Sequence, residues 1–383
     1  MRPTALKLTA GFLLFCGLNV NAQIDQDTRT VTTAVPFLRI SPDARSGGMG
    51  ELGVATSADA YAGLWNVGKL AFNQSKGGVG ATYTPWLKDL VNDVYLANVA
   101  GFYKIDDNSA IGGSVRYFSL GNIDFTDILG NTFANYRPRE FGIDVQYSRK
   151  LNAKNGVGIG IKYINSNLAG GTSVGSTSYK AGNSVAADLG YYHNGVGQSG
   201  TGLAWGAVLS NLGSKVSYTD NADAKDFIPA NLGLGLNYTK QMNAENKLSL
   251  GLEVNKLLVP TPPDPADPDF ANQVAEYRKK TVIGSWFSSL GDAPDGFAEE
   301  IKEFTISAGA EYTYNNQFSL RAGYFFEDKT KGNRRYFTAG LGVKYNVFNF
   351  NFAYLVPSGS GVSRNPLSNT LRFSVLFDFA AKK

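Results

Sequence analysis

Three aspartates, Asp264, Asp267 and Asp269, are interleaved with prolines in the run Pro262-Pro263-Asp264-Pro265-Ala266-Asp267-Pro268-Asp269. Oxygen-rich clusters of this kind can bind calcium. The prolines instead favour a stiff, extended spacer, and no glycine follows at the position an EF-hand turn needs. His193 is the only histidine, so any Ser-His-acid triad would have to use it. No Gly-x-Ser-x-Gly elbow accompanies it. Gly156, Gly158 and Gly160 superficially resemble a phosphate loop, but a dinucleotide fingerprint needs a helix to follow it. Here Ile161, Lys162 and Tyr163 continue an alternating strand pattern. Cys16, the only cysteine, lies in the N-terminal leader, so the mature chain has no disulfide and no cysteine-based metal site. These residues yield no catalytic, cofactor or metal assignment, and the chain reads as a non-enzyme.

The leader itself is legible. Arg2 and Lys7 precede an apolar run from Leu8 to Leu18, and Val20-Asn21-Ala22 supplies small residues before Gln23. This predicts a secretory signal peptide over 1–22. Lipid modification at Cys16 is the alternative, opposed by the bulky Phe15 directly before it. Beyond the leader no apolar run approaches the length of about 18 residues that a membrane helix needs. The formal charge is +4, two of it from Arg2 and Lys7, and nothing suggests nucleic acid as a partner.

The elements that must carry any function are strands. Phe141, Ile143, Val145 and Tyr147 alternate with Gly142, Asp144, Gln146 and Ser148, and this pattern recurs about fourteen times. One face is apolar and ends in an aromatic residue; the other carries Gly, Ser, Asn and charges. Charged residues make up 18%, below the usual figure of about 25%, while glycine and aromatic residues are abundant. A mean hydropathy of −0.16 excludes a helical membrane bundle but not a barrel, whose strands are half polar. The reading is an all-β chain: a transmembrane antiparallel barrel of about fourteen strands over 76–379, preceded by a periplasmic or plug segment over 23–75 and followed by a tail over 380–383.

Connection lengths agree. Turns near Asp106-Asp107, Ala153-Lys154, Asn194 to Gly200, Ala244-Glu245, Asn315-Asn316 and Asn346 are short, while most connections of opposite parity are long. Short periplasmic turns and long extracellular loops are the barrel signature. This predicts both termini on the periplasmic side and the segment 260–302 outside the cell. Lumen-facing charges of both signs, among them Arg116, Lys162 and Arg321 against Asp144, Glu253 and Glu311, suggest a lumen packed against a plug rather than a charge-selective channel.

In the outer segment, Phe270, Val274, Tyr277, Ile283, Trp286 and Phe287 fall roughly at helical spacing, and Phe297 to Lys302 reads as a second short helix. Large apolar residues in an external loop are costly to expose. Either the loop packs on its own rim, or Trp286, Phe287, Leu290, Phe297 and Ile301 form a docking surface for another protein.

Ser288-Ser289-Leu290-Gly291-Asp292-Ala293-Pro294-Asp295-Gly296-Phe297-Ala298-Glu299-Glu300, with Ser307-Ala308-Gly309-Ala310-Glu311-Tyr312, Ala322-Gly323-Tyr324-Phe325 and Gly47-Gly48-Met49-Gly50-Glu51-Leu52-Gly53, resembles the PorV (LptO) family of type IX secretion barrels in Bacteroidetes. The resemblance covers essentially the whole mature chain. That family is similar to the FadL-like fatty-acid transporters, fourteen-stranded barrels with an N-terminal hatch. Ala62-Gly63-Leu64-Trp65-Asn66-Val67-Gly68 resembles the hatch turn, with Val67 where that turn has proline. The resemblance implies a secretion component of the outer membrane, without cofactor. Its implied partners are a SprA/Sov-like translocon barrel, the C-terminal domains of secreted cargo, a PorU-like attachment complex and outer-membrane lipid. A FadL-like transporter of hydrophobic small molecules is the alternative.

Overall fold

The computed structural model describes residues 29–88, 91–126, 132–171, 173–174, 177–221, 225–356 and 369–379. The expected signal peptide, Cys16 and the 380–383 tail lie outside these residues. Fourteen strands close into one antiparallel barrel. They are β1 (Gly77–Pro85), β2 (Val94–Lys104), β3 (Ser109–Leu120), β6 (Arg139–Lys150), β7 (Asn155–Asn167), β10 (Gly182–Asn194), β11 (Gly202–Gly213), β12 (Asn231–Gln241), β13 (Asn246–Leu257), β14 (Phe304–Tyr314), β15 (Phe318–Phe326), β16 (Arg335–Tyr345), β17 (Phe348–Val356) and β18 (Leu371–Phe379). Small hairpins, β4 (Ile123–Thr126) with β5 (Thr132–Tyr136) and β8 (Ser173–Val174) with β9 (Thr177–Ser178), decorate two of the long connections. Closure is made by β1, which pairs β2 on one side and β18 on the other, with Gly77 opposite Phe379.

The strand period of two sorts the side chains as the alternation predicts. On β6, Ile143, Val145 and Tyr147 are exposed on the outer wall while Asp144, Gln146 and Ser148 are buried inside. For a soluble protein this would be inside out; in a bilayer the outer face meets lipid. One irregularity interrupts the ladders between β10 and β11, at Asp188. There Asn211 adopts a positive φ of 56°, and its N–H donates to the Asp188 carboxylate at 2.7 Å.

The lumen is filled by the N-terminal segment. It runs as a 3-10 turn (Pro36–Arg39), α1 (Ala44–Gly47), α2 (Ala62–Trp65) and a 3-10 helix (Val67–Phe72). Short, irregular pieces leave backbone groups that need partners, and the barrel wall supplies them. One Glu253 oxygen accepts from the N–H groups of Gly53 and Val54, both at 2.8 Å. Asn66 donates to the Tyr191 carbonyl at 2.9 Å. Arg45 grips Glu311 through two nitrogens at 3.0 and 2.9 Å, and Glu311 is also held by Arg321 at 2.7 Å. The inward glycines are where plug and wall meet backbone to backbone. A Cβ added at Gly323 would fall 2.1 Å from the Gly50 nitrogen, and one at Gly309 would fall 2.3 Å from the Met49 carbonyl oxygen. Gly156 and Gly158 of the false phosphate loop serve the same purpose against Phe72 and Val67.

The route of this segment follows from its contacts. Arg29 lies beside Asp264 and Glu299 of the longest connection, and Val31 packs with Phe227 and Val259. Phe72, by contrast, packs edge-on against Tyr192 near the short turns, where Phe379 also ends. The described chain therefore enters at the long-loop mouth, crosses the lumen and starts β1 at the other mouth. The described part of the plug thus spans the barrel from one mouth to the other and finds partners along its whole depth.

These contacts predict a closed pore. Gly323→Val drives a branched side chain into the Gly50 backbone, an overpacking conflict expected to dislodge α1. Planar-bilayer recording should show little conductance for the native barrel and clear steps for G323V or for deletion of 30–70. A large open channel in the native protein would refute the closed lumen.

Candidate functional site

The longest connection, between β13 and β14, rises from the mouth that Arg29 enters. It folds into α3 (Phe270–Lys279), α4 (Val282–Ser288), α5 (Phe297–Glu300) and a 3-10 turn (Ile301–Glu303). The Asp/Pro run before α3 is held by its own carboxylates. Asp264 accepts from Ala266 N, Asp267 accepts from Asp269 N, both at 2.8 Å, and Asp269 accepts from the Asn272 amide at 2.6 Å. This is turn chemistry. Among the described residues no group of three acidic, histidine or cysteine side chains has metal-binding geometry.

α3 has no fully buried residue and is pinned from outside. Tyr277 packs edge-on against Phe227 at 5.5 Å. Lys215 Nζ donates to the carbonyls of Arg278 and Lys280 at 2.9 and 2.7 Å, where orphan C=O groups and the negative end of the helix dipole favour a cation. The same ammonium stands 4.0 Å from the Phe227 ring centroid. Lys215→Met should lose cap and cation–π contact together and cost about 1–2 kcal/mol of local order. Faster amide exchange over 270–290, with the strands unchanged, is the expected readout.

α4 and α5 are inside out. Thr281 caps α4, accepting from Gly284 N at 3.2 Å. The face of α4 turned to the protein carries Ser285 and Ser289, at 1% and 0% exposure. The face turned to solvent carries Ile283, Phe287 and Leu290, with Phe287 73% exposed. α5 repeats the inversion: Glu299 and Glu300 are buried, while Phe297 is 80% and Ile301 53% exposed. Trp286 differs from the other candidates in being half-buried. Of the five residues singled out in the sequence, Phe287, Leu290, Phe297 and Ile301 are thus exposed together on one loop, with Ile283 beside them. Trp286 belongs partly to the loop's own packing.

Buried charges hold this inversion in place. Lys256 Nζ contacts Glu300 at 2.7 Å and Glu303 at 2.6 Å; Lys331 Nζ contacts Glu299 at 2.6 Å and Glu303 at 3.0 Å. All five side chains are almost fully buried. Thr261 adds a 2.9 Å bond to Glu303, and Arg29 approaches Glu299 at 3.9 Å. Burial pushes the Glu303 carboxyl up, but its bonds to Lys256 and Lys331 win and hold it below the ordinary range. Glu299 is lowered the same way, with Lys331 outweighing burial. Asp292 goes up, because burial dominates over its Lys280 partner at 3.6 Å. The sequence pattern of α5 shows only a short amphipathic turn; Lys256 and Lys331 are remote in the chain, and only barrel closure brings them to it.

The remaining candidates have structural partners. His193, at the end of β10, shares a 2.7 Å hydrogen bond with Asn155 and stacks on Trp205. Inside the barrel a cavity of about 130 Å³ opens above the plug, lined in part by Arg39, Trp65, Arg116, Glu253 and Asn255. Its wall is mixed, with Leu38, Ile40, Val54, Leu64 and Phe325 standing among these charges and amides.

Residues 23–264 match the model of the family described as type IX secretion system protein PorV. No curated protein matches the chain. Among solved structures, the CymD monoaromatic hydrocarbon channel is similar at 13% identity over 89% of this chain and 98% of its own, with a TM-score of 0.51. The Ralstonia pickettii toluene transporter TbuX is similar at 12% identity over 88% and 98%, TM-score 0.50. The P. putida toluene transporter TodX gives 12% identity over 88% and 98%, TM-score 0.50. At these identities the likeness shows the barrel fold alone.

Proposed function

The chain belongs to the PorV family of the type IX secretion system, an outer-membrane barrel, and we propose that it serves there as a docking subunit rather than a pore. In this reading it binds a SprA/Sov-like translocon barrel and the C-terminal domains of cargo, and passes cargo to a PorU-like attachment complex at the cell surface. The single observation that carries it is the inversion of α4 and α5, which bury Ser and Glu and expose Phe287 and Phe297. The hydrophobic effect alone would fold these helices the other way. An arrangement against that gradient, fixed by buried ion pairs, is what a surface kept for a partner requires.

Transport of hydrophobic small molecules through the lumen remains the second reading, through the fold it shares with hydrocarbon channels. It needs an apolar pocket and a path through plug or wall. The plug here meets the wall backbone to backbone at Gly309 and Gly323, which closes such a path, and the small cavity mixes charges and amides with apolar side chains such as Leu38, Val54 and Phe325. These features favour docking. Affinity capture of the detergent-solubilised barrel separates the two readings: translocon and cargo should copurify. Lipid or hydrocarbon alone would reverse the assignment.

Docking at the cell surface requires the long loops to be outside. A cysteine at Ser288 should react with an impermeant maleimide on intact cells, and one at Asn316, in the β14–β15 turn, should react only after lysis. Equal labelling, or labelling of Asn316 alone, would reverse the orientation.

A further inference from the structure

The short-turn mouth carries a cationic patch that the docking function does not use. Around the first turns stand Lys76, Lys104, Arg149, Lys150 and Lys154, against Asp106 and Asp107. Asp106 is committed to its own turn, accepting from the N–H groups of Asn108 and Ser109, both at 2.7 Å. Lys150 donates to the Asp107 carbonyl, not to its carboxylate. Among the described residues, none of the five cations forms an ion pair within 4 Å.

Register places Arg149 on the outer wall, whereas Lys150 turns inward over the Phe72 ring of the plug. Tyr103, Ile111 and Tyr147 form one cross-strand row, Tyr103 opposite Ile111 and Ile111 opposite Tyr147. All three are exposed on the outside, so the row is the aromatic girdle at that interface. Lys76 Nζ stands 5.2 Å from the Tyr103 ring centroid. Arg149 lies two residues beyond Tyr147 on the same face, opposite Ser109, and is exposed. Exposed apolar residues continue into the turns themselves: Ile105 and Leu151 are 52% and 60% exposed. Apolar residues flanked by cations that lack a close carboxylate partner, one step beyond an aromatic girdle, match a headgroup–acyl boundary.

We propose that this sector binds an anionic glycerophospholipid, with Arg149 on the phosphate, Lys76 and Lys154 flanking it along the rim, and Ile105 and Leu151 in the acyl boundary. Arg149 supplies the planar donor fork suited to phosphate oxygens, and the lysines add long-range attraction. The site is independent of the docking loop, which stands at the other mouth. It would hold one orientation of the barrel against its leaflet and resist tilting while a partner pulls on the long loops.

The test uses the full barrel in nanodiscs of phosphatidylcholine with phosphatidylglycerol, followed by native mass spectrometry of retained lipid. The native protein should retain phosphatidylglycerol at least tenfold over phosphatidylcholine, and moderate salt should weaken that preference. K76Q/R149Q/K154Q should retain both lipids equally while keeping its heat-modifiable gel shift. R149Q alone, the milder change, should lie between. Equal retention by the native protein overturns the proposal. So does undiminished phosphatidylglycerol retention by the folded triple variant, or a patch that binds an acidic protein with no lipid preference.

Discussion

Phe287→Ser combined with Phe297→Ser is expected to abolish capture of the translocon and of cargo while the barrel assembles normally. Both rings stand in water in the free protein, at 73% and 80% exposure, so the folded state loses almost nothing when they are removed; surface changes of this kind usually stay within about 0.5 kcal/mol. In a complex each ring would contribute about 1.5–3 kcal/mol on burial. Losing both should weaken binding on the order of 100-fold or more. Heat-modifiability and melting temperature should match the native protein, and cargo should accumulate in the periplasm. Trp286→Ser is the informative contrast. Because Trp286 is half-buried, its loss should disorder the loop and lower stability as well as binding. Secretion at native levels by the double variant would end the assignment of this loop as the docking surface.

The strands were legible because a bilayer barrel obeys one rule, period-two alternation, over its whole length. Asp144, Gln146 and Ser148 read as inward from their neighbours alone, and they are inward. Connection parity was equally plain, since every short turn falls at one mouth. The path of the plug was not legible. Its helices span four to six residues, too short for periodicity to register, and its partners lie on strands hundreds of residues away, as Arg372 does from Glu51 at 2.8 Å. The docking loop fell between these cases. Its large apolar residues stood out by type, but which of them face water depends on Ser285, Ser289 and the buried glutamates turning inward. By type alone Trp286 groups with Phe287, although the two adjacent residues have different surroundings, one half-buried and one exposed.

The second large effect should come from the ion-pair network beneath that loop. Lys331→Met removes the partner of Glu299 at 2.6 Å and of Glu303 at 3.0 Å, leaving buried carboxylates with their other contacts only. Breaking one side of a buried pair commonly costs about 3–5 kcal/mol. The barrel strands carry their own hydrogen-bonded ladders, so the loss should stay local. Amide exchange should rise sharply over 297–303 and leave the strands protected. Docking should fall although Phe287 and Phe297 are untouched, because the anchors would no longer be presented on a fixed frame. Acid should mimic the substitution. Glu299 and Glu303 are both held below the ordinary carboxyl value of 4.5. Their stabilising contribution is therefore complete above about 4.5 and disappears as pH falls through the lowered folded values. Asp292, raised by burial above its ordinary 3.8, works in the opposite sense, since the folded loop holds its proton more tightly than the unfolded one. Glu299 and Glu303 belong to the ion-pair network under α5 itself, whereas Asp292 pairs only with the more exposed Lys280, so acid is expected to loosen this part of the loop. Exchange over 297–303 measured at pH 7 and near pH 3.5 should show the native loop approaching the K331M rate at the lower pH. An acid-insensitive loop in the native protein, or exchange in K331M no faster than native, would show that the inversion of α4 and α5 is held by something other than these charges.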